Sequence, residues 1–126
     1  MGSMNDPLDM VRLFLSMGDH LEALREMRRL PKRVRQSVPA LELHLHIFAA
    51  FRSFRICEGI VEILLNDLAI SEAALEAIAE FRIAQAEASL KDGRSEEAEE
   101  FLRLAVKVWP KIVVDLEAKP ELSSLL

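Results

Sequence analysis

Three histidines, one cysteine and a run of glutamates are the residues here whose types could do chemistry. His44 and His46 are the closest pair, but side chains two apart on a helix point about 200° away from each other, so they cannot chelate one ion from one face. With His20 remote and Cys57 elsewhere, the tetrahedral donor set of a zinc site is missing and no metal is expected. Cys57 as a nucleophile would need a neighbouring base and an exposed, electropositive setting. Its place in an apolar stripe favours burial, where a thiol behaves as a small hydrophobe. Carboxylates abound, but as helix-face runs such as Glu96, Glu97, Glu99 and Glu100. No Gly-rich phosphate loop or familiar catalytic motif is present. The expectation is a protein that is not an enzyme and uses no cofactor.

Nucleic-acid binding has one foothold. Arg25, Arg28, Arg29, Lys32, Arg33 and Arg35 crowd into one segment and could contact phosphates. Aromatic residues for base stacking are not interleaved with them, and the chain is acidic overall, at −5. Residues 1–55 carry nine Lys/Arg against six Asp/Glu, and residues 56–126 carry seven against fifteen. Such a dipolar chain could orient an acidic partner or associate head to tail.

These side chains need elements to position them, and composition says which kind. The 126 residues suffice for one domain. With 51% apolar and 29% charged residues, disorder is disfavoured. A single cysteine excludes an internal disulfide, so packing alone must hold the fold. Four glycines and five prolines are too few for a turn-rich β-sandwich. Met1-Gly2-Ser3 reads as an expression remnant before Met4. No signal peptide is visible, and apolar runs such as Ile63-Leu64-Leu65 fall far short of the roughly 18 residues of a membrane span. A cytoplasmic setting without membrane contact is expected.

Helical periodicity runs through the whole chain. Asp6-Pro7 predicts a helix start, with Leu8, Val11 and Leu15 following until Gly18. Asp19 caps a second helix ended by Pro31, and Lys32 to Ser37 is a connector. Ser37-Val38-Pro39 opens a third helix that breaks near Arg52-Ser53; Phe54, Cys57, Val61 and Leu64 mark a fourth, up to Asn66-Asp67. Ser71 caps a fifth of about twenty residues, closing at Asp92-Gly93. A sixth runs from Ser95 to just before Pro110, and the tail suggests a short seventh helix and a terminal turn. All-α is the expected class.

The helices repeat. Around Gly93, Ala86 lies seven before, with Ala98, Leu102, Ala105 and Pro110 at five, nine, twelve and seventeen after. Around Gly18 the matching residues are Val11, Ala23, Met27 and Leu30. Arg52 stands thirty-four residues after Gly18, with Leu45, Cys57, Val61 and Leu64 at the same offsets. This pattern resembles the tetratricopeptide repeat, a 34-residue helix–turn–helix unit. The middle unit is degenerate, since Arg52 fills the glycine slot and Cys57 the small slot. From Arg52 to Gly93 the spacing is 41, and the extra seven residues, about two helical turns, keep the face in register.

The resemblance implies a right-handed α-α superhelix of three hairpins, about 6–37, 38–70 and 71–110, with 111–126 as a cap. It also implies a non-catalytic adaptor whose first helices line a concave groove for a partner's peptide or helix. The candidate lining is Leu8, Arg12 and Leu15, then Glu42, His46 and Ala49, then Glu80, Ile83 and Glu87. Only Arg12 suits a carboxylate, while Glu42, Glu80 and Glu87 favour a partner helix with apolar ridges and basic residues. A small chaperone for secreted or assembled proteins and a homo-oligomeric unit, such as a homodimer, are the alternatives.

Overall fold

The computed structural model describes residues 6–126. The expression remnant expected at Met1-Gly2-Ser3 lies outside the described residues. Among the described residues all regular structure is helical. The nine helices of the described residues fall into two compact units, the first ending at Asn66 and the second running from Asp67 to Leu126.

The first unit contains α1 (Asp9–Ser16), α2 (His20–Arg29), α3 (Lys32–Arg35), α4 (Val38–Ala50) and α5 (Phe54–Leu65). Polar residues cap two of these helices, α2 and α4. Asp19 accepts the Glu22 amide at 3.1 Å and Ser37 Oγ accepts the Ala40 amide at 3.4 Å, each satisfying a donor that the first helical turn leaves open. The start of α1 differs from the expected one. Asp6 Oδ1 accepts the Leu8 amide at 2.9 Å, making a side-chain turn over Pro7, so the helix begins only at Asp9. The expected connector after Pro31 also differs, because Lys32–Arg35 closes into a single helical turn. Arg35 Nε holds that turn by donating to the Leu30 carbonyl at 3.0 Å. Leu8, Val11, Ala23, Leu24, Met27, Ala40 and Ile47 form this unit's core cluster.

The second unit contains α6 (Glu72–Lys91), α7 (Ser95–Val108), α8 (Ile112–Leu116) and α9 (Pro120–Ser123). Ser71 caps α6 by accepting the Ala74 amide at 3.1 Å. Alanines 79, 86, 98 and 105 are buried and let α6 and α7 lie close, with Leu102 filling the space beside them. The tail folds back within the unit and seats Ile112, Leu116 and Leu122 in the same core.

Three helix pairs, α1–α2, α4–α5 and α6–α7, are joined by the same turn. Gly18, Arg52 and Gly93 hold φ of +76°, +60° and +79°. The amide of each turn residue donates to a carbonyl three back (Leu15, Ala49 and Leu90), each at 3.0 Å. The following amide reaches five residues back: Asp19 to Phe14 and Ser53 to Phe48 at 2.9 Å, Arg94 to Ser89 at 2.8 Å. This is the left-handed C-cap that satisfies the last carbonyls of a helix. Eleven of the twelve residues found at the −7, +5, +9 and +12 offsets are buried, with Leu30 the partly exposed one. The degenerate middle turn is therefore built like its neighbours. Cys57 Sγ lies 3.9 Å from the Leu45 carbonyl, so its +5 and −7 positions meet across the α4–α5 pair.

Candidate partner-binding clefts

Six of the nine expected groove residues line two open clefts, three in each unit. In the first unit Arg12, Leu15 and Ser16 of α1, His20 of α2, and Leu43 and His46 of α4 surround about 360 Å³. Leu15 and Leu43 also pack against the core beneath, so the cleft has an apolar base with polar walls. Arg12 does not face it as a bare cation. Its guanidinium pairs with Asp6 at 2.8 Å and Asp9 at 3.3 Å. The Leu8 amide and then Arg12 hold the Asp6 carboxyl below its ordinary value. A partner carboxylate would have to displace two resident ones, so this wall is a poor carboxylate clamp. Beside it, His20 stands edge-on to Phe51, with ring centres 6.4 Å apart.

In the second unit Glu80, Ile83 and Glu87 of α6 face Ile112, Asp115 and Leu116 of α8 and Lys119 across about 260 Å³. Ile83, Ile112 and Leu116 are core residues and make an apolar floor. Three carboxylates and one ammonium make the rim, leaving an acidic excess. Lys119 Nζ reaches Glu87 at 3.0 Å and ties the tail to α6. Both partners are more than a third exposed, so the pair fixes position more than it adds stability.

Some expected residues lie elsewhere. Leu8 is buried, only 4% exposed, in the first core, because the turn over Pro7 rolls it inward. Ile83 is 6% exposed and serves as cleft floor, with little surface of its own to offer a partner. Glu42 and Ala49 are half-buried and lie outside the lining of both clefts. Asp115 and Lys119 were missed by sequence reasoning, since only the folded-back tail brings them to α6.

The other chemical candidates resolve into structural roles. Burial pushes the Cys57 thiol up to about 11, and Glu58 adds to the shift, so the thiolate is scarce at neutral pH. His44 is half-buried and stacks on Phe48, with ring centres 5.7 Å apart and planes within 8°. Burial holds its pKa below the ordinary value, against a weaker opposite pull from the Ala40 backbone. Among the described residues no three His, Cys, Asp or Glu gather as a metal site. In the basic segment, Arg25 pairs with Glu22 at 2.6 Å, Arg29 pairs with Glu26, and Arg35 caps α2. Arg28, Lys32 and Arg33 remain exposed. Among the described residues no helix is long and apolar enough to cross a membrane.

Comparison of the chain with protein-family models, with curated proteins and with solved structures finds no match.

Proposed function

We propose that this chain is a tetratricopeptide-like interaction module. In this reading its three hairpins form a right-handed superhelix, capped by the tail, that works as a cytoplasmic adaptor. It binds an amphipathic helix of another protein, with apolar ridges and basic residues on its flank, and performs no catalysis on it. One observation carries the reading. Five of the nine proposed groove residues (Arg12, Leu15, His46, Glu80 and Glu87) line concave clefts on first helices of the pairs, and Ile83 floors one of them. Apolar floors supply area to bury, and the acidic rim at α6 selects the sign of the flanking charge.

Selection of helical peptides from a displayed random library on the full chain tests this. The expected winners carry apolar residues at helical spacing and Lys or Arg beside them. A chain with Glu80→Lys and Asp115→Lys, both exposed positions that leave the core intact, should lose those winners. Enrichment that ignores these substitutions would overturn the cleft assignment. An acid at Ile83 is a poor probe, because it would strike the core itself.

A further inference from the structure

Helix α5 carries a second apolar face that neither the core nor the clefts use. Cys57, Ile60, Val61 and Leu64 are its buried residues. On another side Ile56 and Ile63 are 49% and 56% exposed, with exposed Gly59 between them at helical spacing. Gly59 has no positive φ to explain it, and a Cβ there would meet nothing within 4 Å. Glycine inside a helix costs stability, and nothing around Gly59 in this chain requires it. Two isoleucine ridges flanking a notch without a side chain form a surface that another helix can approach closely.

Charge decides which helix. Arg55 lies in the first turn of α5 and Glu62 near its end, both exposed. We propose that α5 docks antiparallel on α5 of a second copy, crossing at Gly59. The two-fold axis of such a pair sets Ile56 of one copy against Ile63 of the other, and Arg55 against Glu62, each contact made twice. A parallel pair would instead oppose like charges. The face is thus complementary to itself, which favours a second copy over a foreign helix. Twelve residues span about 18 Å, so the contact is smaller than the roughly 800 Å² per partner of a standard interface. The dimer is accordingly weak and reversible. The inference does not rest on the clefts, which are built from α1, α2, α4, α6 and the tail.

Sedimentation velocity of the full chain, from micromolar to near-millimolar concentration, tests it. A concentration-dependent monomer–dimer equilibrium is expected. Arg55→Glu and Glu62→Arg should each weaken association by roughly tenfold or more. Mixing those two variants should restore it as a heterodimer, because one copy then carries glutamate at both positions and the other arginine. Gly59→Ala should raise the melting temperature by roughly 3 °C while weakening the dimer, a split that general damage to the fold cannot produce. A chain that stays monomeric throughout overturns the proposal and leaves the face to a foreign partner. A dimer indifferent to all three substitutions overturns it equally.

Discussion

At Arg52 a residue with a Cβ holds φ +60°, the conformation its counterparts Gly18 and Gly93 adopt without steric cost. Its guanidinium lies 5.8 Å from the Phe54 ring centre, near the outer limit of a useful cation–π contact. Relief of that backbone cost should let Arg52→Gly stabilise the chain by about 0.5–1 kcal/mol in urea denaturation. Gly93→Ala should destabilise it by about 1–2 kcal/mol, through backbone strain alone, since its Cβ would meet nothing. His44 makes the stability depend on pH. The unfolded chain takes up its proton as pH falls through the ordinary value of 6.5, while burial makes the folded imidazole harder to protonate. Its contribution is complete above 6.5 and is lost as pH drops from there toward the lower folded value. Melting temperatures measured from pH 7.5 down to about 5, above the usual carboxylate range, should fall less in His44→Phe than in the parent chain. The left-handed turn at Arg52 was legible only through its spacing from Gly18, because arginine carries no turn signal of its own.

Helix limits were largely readable because small polar residues write them. Asp19, Ser37 and Ser71 each cap the helix they were expected to cap. Where reading failed, a longer-range or subtler competition decided. The carboxylate of Asp6 spends itself on a turn that delays α1, and Lys32–Arg35 closes a turn that its basic, proline-led sequence does not advertise. The α6–α7 pair offers the sharpest element-level test. Ala98 is fully buried on α7, in one cluster with Ala86 of α6. Ala98→Leu should cost about 1–3 kcal/mol by overpacking, measured by chemical denaturation. A neutral result would count against a close helix approach there. Ser89 Oγ and Arg94 both reach Glu97, at 3.2 and 3.6 Å, and fasten the start of α7 to the end of α6.

Across the whole chain, basic residues prevail before residue 56 and acidic ones after it, and the clefts inherit part of that bias. In the first, Arg12 is offset by Asp6 and Asp9; the second keeps its acidic excess. The all-helical class and the repeated turn could be read from periodicity and glycine spacing. The clefts could be read only in part, since Asp115 and Lys119 arrive by the tail's return, for which local sequence has no signal. The proposed function therefore rests most heavily on the charge of the second cleft. Fluorescence anisotropy of a labelled, lysine-flanked amphipathic peptide, taken from the display selection and titrated with the full chain, tests that most directly. Saturable binding that falls with salt and is lost in the Glu80→Lys, Asp115→Lys chain is expected. Replacing the peptide's lysines by glutamates should return binding to that variant. Equal binding of both peptides by both chains would contradict this.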